Sequence, residues 1–236
     1  MPTHKFDPKK DVPDLTGKVF FVTGGTWFSS STPNSTTTDD TGTSGVGKET
    51  VLLLSQHQPE HIFFSGRDSR KADSVIEEAK AIAPNAQVTF IQCDLASLES
   101  VKEAAAQFTS LSSRLDVLVC NAGIMAVPAA LTKDGYEVQF GTNHVGHALL
   151  IKLLMPSLLR TADEPQSDVR IIILSSVGHR FHPSGGIRFD TLREPDTIGN
   201  AGLRYGQSKL ANVLYAKELA RRYPKITSVA VHPGTV

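Results

Sequence analysis

Short apolar runs alternate along the chain with longer amphipathic stretches, and the two kinds of segment have different periods. Runs over 18–23, 61–65, 87–92, 115–120, 169–174 and 226–231 have the length and composition of strands. Between them, 46–56, 70–82, 98–109, about 136–159 and 202–223 carry apolar residues at helical spacing. Strands alternating with helices of ten or more residues predict βαβ units and a parallel sheet. Right-handed crossovers then place helices on both faces. The expected fold is therefore α/β, a doubly wound parallel sheet of six strands, formed as one domain over 1–236.

One stretch breaks the alternation. Residues 26–42 are crowded with Ser and Thr and have no period, and they fall between the first strand and its helix. Loops there normally run about 2–6 residues. With 26–42 removed, the flanks join as Val22-Thr23-Gly24-Gly25-Thr43-Ser44-Gly45-Val46-Gly47, a TGxxxGxG turn between strand and helix. Such glycines let backbone N–H groups approach a pyrophosphate, and the helix N-terminus adds partial positive charge. The insert reads as translated intron, with a genuine low-complexity loop as the alternative: codons for Gly25-Thr26-Trp27 can hold a splice donor, Thr38-Asp39 a branch sequence, and Thr41-Gly42 an acceptor. Its closure entropy grows only logarithmically, so folding should survive, while the phosphate cradle loses its preorganisation. The overlapping GxxxxGK string Gly42–Lys48 is followed by Glu49 where a triphosphate-binding loop needs Ser or Thr.

Composition adds mainly exclusions. Apolar residues make up 40% of the 236-residue chain, enough for a sizeable core, and the formal net charge is zero, which argues against nucleic acid as a partner. Residues 1–18 lack an apolar leader, and no uninterrupted apolar run approaches bilayer length, so a cytoplasmic protein without a membrane span is expected. Cys93 and Cys120 each end a strand-like run and read as buried thiols. The pairs His144/His147 and His179/His182 lack a third ligand at useful spacing, so no metal is expected.

The candidate chemistry sits late in the chain. Tyr205 and Lys209 are four residues apart in one predicted helix, hence on one face. A free Tyr titrates near ~10, and a neighbouring ammonium favours its phenolate. Ser175-Ser176 end the apolar run 169–174, where a hydroxyl can hold a carbonyl or alcohol oxygen.

With these motifs in order, the chain resembles the short-chain dehydrogenase/reductase family, and within it the retinol-dehydrogenase-like and WW-domain-oxidoreductase-like branch. The other motifs that carry the resemblance are Cys93-Asp94-Leu95, Asn121-Ala122-Gly123, Asn143 in Thr142-Asn143-His144-Val145-Gly146-His147, and His232-Pro233-Gly234-Thr235-Val236. The resemblance implies a Rossmann-type, NAD(P)-binding domain with Tyr205 as general acid or base, assisted by Lys209, Ser176 and Asn143. It also implies cofactor contacts from Thr23, Gly24, Gly25, Ser44, Gly45, Val46, Gly47, Asp94, Leu95, Asn121, Ala122, Gly123, Tyr205, Lys209, Pro233 and Gly234.

Strand two ends Phe64-Ser65-Gly66-Arg67, with an arginine near the place where NAD-binding chains carry a ribose-binding acid. Arginine pairs well with a 2′-phosphate, so NADP(H) is favoured, although Asp68 is adjacent. The expected activity is carbonyl reduction or alcohol oxidation on an apolar small molecule, with homodimers common in the family. The resemblance also implies a seventh strand and a substrate-covering segment beyond Val236. A chain lacking these, with an interrupted turn, has as its alternative reading an inactive dinucleotide-binding or interaction protein.

Overall fold

The computed structural model describes residues 6–24 and 45–234. The insert 26–42, with Gly25 and Ser44 of the expected phosphate turn, lies outside the described residues. The elements are α1 (Pro8–Asp11), β1 (Val19–Thr23), α2 (Val46–Ser55), β2 (His61–Gly66), α3 (Ser69–Ile82), β3 (Val88–Gln92), α4 (Leu98–Leu111) and β4 (Val117–Cys120). They continue with α5 (Val138–Phe140), α6 (Gly146–Ala162), β5 (Val169–Leu174), α7 (Ala201–Arg222) and β6 (Ile226–Val231).

The six strands form one parallel sheet in the order β3-β2-β1-β4-β5-β6. The chain winds outward from β1 in one direction, then returns to β4 and winds outward in the other. That reversal leaves a crevice at the carboxyl ends of β1 and β4, the usual place for a ligand in such sheets.

Alternate residues of β1 serve opposite faces. Val19 and Phe21 face α4 and α6, in a core with Phe63, Phe108, Leu150, Leu154 and Leu158. Phe108 stacks on Phe21 at 5.3 Å between ring centroids and meets Phe63 edge-on at 4.9 Å. Phe20 and Val22 face α2 and α3, with Val51, Ile62, Phe64 and Val75. Each such side chain, removed from water, contributes roughly 1.5–3 kcal/mol. Three of the long helices begin on side-chain caps: Asp68 for α3, Ser97 for α4 and Asn200 for α7.

The uninterrupted helix expected over 136–159 is corrected. The short α5 leads into a π-helical stretch, Gly141–Val145, before α6 begins at Gly146. Glycines at both ends permit close approach: a Cβ on Gly141 would collide with the Thr132 side chain, and one on Gly146 with the Leu95 carbonyl. Such widened turns recur at functional sites. By length and composition Val138–Ala162 is apolar enough to cross a membrane, but half of it is buried inside the fold. Leu150, Ile151, Leu154 and Leu158 are fully covered by the core.

Candidate active site

A cleft of about 1030 Å³ opens at the carboxyl ends of the strands. Of the residues singled out in the sequence, Gly24, Gly45, Val46, Arg67, Asp94, Leu95, Asn121, Ala122, Gly123, Tyr205, Lys209 and Pro233 line it. Thr23, Gly47, Asn143, Ser176 and Gly234 are not among its lining residues.

One end of the cleft is built by α7 and the segment after β5. Tyr205 is half-buried, and Lys209 is 4% exposed. The Lys209 ammonium sits 5.6 Å from the centre of the Tyr205 ring and donates to the Leu174 carbonyl at 3.0 Å. Burial lowers its pKa to about 8, because the charged form loses hydration. Ser175 donates to the Lys209 carbonyl at 2.9 Å and pins β5 to the helix. Ser176 Oγ accepts from the Gly178 amide at 3.1 Å. A Cβ on Gly178 would lie 3.0 Å from the Tyr205 ring and 3.3 Å from Ser176 Oγ, so the phenol and this hydroxyl share one small space. Gly206 is required by packing, since a Cβ there would overlap the Phe181 carbonyl.

Asn143 is fully buried in the π stretch. Its Oδ1 accepts from the Ile124 amide at 2.8 Å, and its Nδ2 donates to the Ile124 carbonyl at 2.9 Å and to Ser208 Oγ at 3.0 Å. Between Asn143 and Lys209 lies Gly123: a Cβ there would be 3.2 Å from Asn143 Oδ1 and 3.4 Å from Lys209 Nζ. Asn143 therefore supports the cleft floor from beneath.

At the other end, Gly24 has φ +71°, and a Cβ on it would lie 2.9 Å from Ala122. Gly47 packs against the Gly24 carbonyl, where a Cβ would collide, which seats α2 on the end of β1. The expectation that Thr23 touches a cofactor is corrected, because it is fully buried and its Oγ1 accepts from the amides of Asn121 at 3.0 Å and Ala122 at 3.1 Å. Asn121 Nδ2 donates to the Thr23 carbonyl at 2.9 Å. At the rim, Arg67, Arg70 and Lys71 gather beside Asp68. Asp68 is engaged in capping α3, accepting from the Arg70 amide at 3.0 Å, and its carboxylate lies 3.6 Å from the Arg70 guanidinium. Asp94 Oδ1 likewise accepts from the Ala96 amide at 3.0 Å. Cys93 also lines the cleft, but burial pushes its thiol up to about 12, which leaves it a poor nucleophile.

Sequence reasoning missed Asn212 as a support of this site, and it named Ser175 only with Ser176, without its bond to the Lys209 carbonyl. Asn212 Nδ2 donates to the Asn143 carbonyl at 3.2 Å and to the Leu174 carbonyl at 3.1 Å, so it braces the two carbonyls beside Lys209. A signal existed, because Asn212 stands three residues after Lys209 on one helix face. Also unforeseen is a buried ion pair at 3.4 Å, Arg204 with Glu137, where the segment after β4 meets α7.

The chain as a whole is similar to known proteins. A family model described as short chain dehydrogenase matches residues 41–187. An uncharacterised oxidoreductase of Schizosaccharomyces pombe is 38% identical over 229 residues, covering 96% of this chain and 62% of that protein. Retinol dehydrogenase 13 of Homo sapiens is 39% identical over 217 residues, covering 91% of this chain and 63% of that protein. Thus the chain spans less than two thirds of the length of these relatives. Among solved structures, an uncharacterised protein from Mycobacterium paratuberculosis superposes with a TM-score of 0.74 at 32% identity, over 96% of this chain and 71% of that one.

Proposed function

The chain belongs to the short-chain dehydrogenase family, and on that premise we propose that it is an NADP(H)-dependent oxidoreductase interconverting a carbonyl and an alcohol on an apolar small molecule. The observation that carries this reading is the meeting of Tyr205 and Lys209 on the lining of one end of a cleft, with Ser176 Oγ beside the Tyr205 ring just behind that lining, while the other end of the cleft is a glycine turn with a basic rim.

The residues fit a dinucleotide. The glycine positions at 24 and 123 leave the backbone bare where a Cβ would crowd Ala122, Asn143 or Lys209. Arg67, Arg70 and Lys71 suit a 2′-phosphate, and the one carboxylate among them, Asp68, is held by its own helix. Bound there, the dinucleotide would supply or accept the hydride.

The chain's own groups then handle the proton and the geometry. Tyr205 donates its phenolic proton to the substrate oxygen in reduction and takes it back in oxidation. The Lys209 ammonium, charged below about pH 8, stabilises negative charge developing on that phenol. Ser176 shares the space beside the ring and orients the same oxygen. Asn143 holds Ile124, and with it the Gly123 floor beside Lys209. Met125 on the cleft wall, with Val177 and Phe181 on the turn after Ser176, exposes apolar surface that suits an apolar substrate.

Tyr205→Phe tests this reading. Carbonyl reduction by NADPH should fall about a hundred- to ten-thousandfold in kcat with NADPH affinity retained; an undiminished rate would overturn it. The stretch 26–42, inside the phosphate turn, favours a second reading, a weakly binding and catalytically silent relative. Fluorescence titration with NADPH, on this chain and on one lacking 26–42, separates the two: only the first reading predicts turnover once affinity is restored.

A further inference from the structure

His147 is fully covered, at the start of α6, and it bridges two parts of the cleft that are far apart in sequence. Its Nδ1 lies 3.1 Å from the Asn143 carbonyl and its Nε2 lies 2.8 Å from Thr23 Oγ1. A carbonyl only accepts, so Nδ1 carries the hydrogen and Nε2 is the bare nitrogen. The Thr23 hydroxyl must then donate to Nε2. The other acceptor near it, the Val119 carbonyl, is at 3.4 Å.

This assignment decides where the remaining capacity of Thr23 Oγ1 points. With its hydrogen on the imidazole, both lone pairs are left for the amides of Asn121 and Ala122. On the other arm, the Asn143 carbonyl is held by His147 and Asn212, and the Asn143 side chain clasps both backbone groups of Ile124. The imidazole thus grips the floor segment on both sides of Gly123: residues 121 and 122 through Thr23, residue 124 through Asn143. Its burial, together with the neighbouring Lys209 and His144, pushes its pKa down to about 4, which keeps it neutral through the working range.

We propose that His147 is a positioning residue, a neutral strut that orients the Thr23 hydroxyl and thereby sets the Asn121–Ala122 floor against which the cofactor rests. The structural part stands on the hydrogen bonds alone; the consequence for cofactor rests on the function proposed above. The strut has two arms, and two near-isosteric variants cut them separately. An Asn amide reproduces Nδ1 and keeps the Asn143 carbonyl while leaving Thr23 without its acceptor. A Gln amide reaches the Nε2 position and keeps Thr23 while releasing the Asn143 carbonyl to Asn212.

The first readout is amide hydrogen exchange at Asn121 and Ala122 in the full chain without cofactor. His147→Asn should speed exchange at the Ala122 amide about tenfold, the scale of one lost buried hydrogen bond, and less at Asn121, whose amide also donates to the Val119 carbonyl at 3.0 Å, whereas His147→Gln should stay within about twofold of wild type at both. The second readout is NADPH affinity, which should weaken about tenfold in His147→Asn and hold in His147→Gln. Equal acceleration by both variants, or none by either, overturns the proposal. If exchange splits as expected while even the wild-type chain fails to bind NADPH, the strut stands and the cofactor reading falls. Should His147→Asn not fold, Thr23→Val cuts the same arm from the other side. It should speed the same two amides, and a Thr23→Val chain with unchanged exchange there overturns the strut.

Discussion

The two ends of the sheet treat a buried charge in opposite ways. At the amino ends, Asp116 just before β4 is fully buried and saturated. It takes a two-pronged bond from Arg114, at 2.7 Å on each oxygen, with Lys18 Nζ at 3.1 Å and the Val19 amide at 2.9 Å. At the carboxyl ends, Lys209 is almost as buried but donates to one carbonyl, Leu174, which it shares with Asn212. Saturation makes a charge part of the scaffold. Under-coordination leaves one strained toward its neutral form and available to a ligand, which is how perturbed groups mark working sites.

Removing the saturated charge should have the largest effect. Asp116→Ala leaves Lys18 and the Val19 amide without this acceptor and Arg114 with Glu164 alone, and should cost about 4 kcal/mol in urea unfolding. NADPH affinity should not change, because the damage lies at the far end of the sheet; a loss of affinity at unchanged stability would erase the contrast.

Removing the strained charge should do the reverse. Lys209 has a folded pKa of about 8 against 10.5 in the unfolded chain. Between those values the unfolded chain holds more protons, so stability rises with pH. The cost of burying this ammonium is fully present below about pH 8 and gone above about 10.5. Lys209→Met should therefore stabilise the protein by about 3 kcal/mol at pH 7, with the gain fading as the pH approaches 10.5, while carbonyl reduction is lost. Leu174 keeps Asn212 as a donor in this variant. A destabilised Lys209→Met protein at pH 7 would place Lys209 with Asp116 as scaffold.

The smallest effect is expected at the solvent-exposed rim. Arg67→Ser should lower the preference for NADPH over NADH by about tenfold, measured as the ratio of the two dissociation constants, with no change in melting temperature. An unaltered ratio would assign the 2′-phosphate to Arg70 and Lys71.

Much of the fold was legible because each strand is a compact apolar run with polar residues at its ends. Val169–Leu174 and Ile226–Val231 were read to their end residues. The π stretch was not legible, because hydrophobic periodicity is blind to one added residue in a turn; Gly141 and Gly146 were its only local trace. In the site, Tyr205, Lys209 and Asn121–Gly123 were singled out because their motifs are short and contiguous, and all of them line the cleft. His147 and Asn212 were not, because their partners are distant: Thr23 lies on the first strand, and Asn143 and Leu174 belong to other elements. Thr23 was placed in contact with cofactor because a motif names positions without saying which ones face inward.

Gly206 has a mechanical consequence. Lacking a side chain, it lets α7 close onto the turn ending at Phe181, so the phenol and the Ser176 hydroxyl ride on one body. Any movement that widens the cleft should then carry the Tyr205 ring and the Ser176 hydroxyl together. The wall carrying Ile124 and Met125 has no such tie to α7 through Gly206, and next to it Ala126 is a non-glycine residue at positive φ.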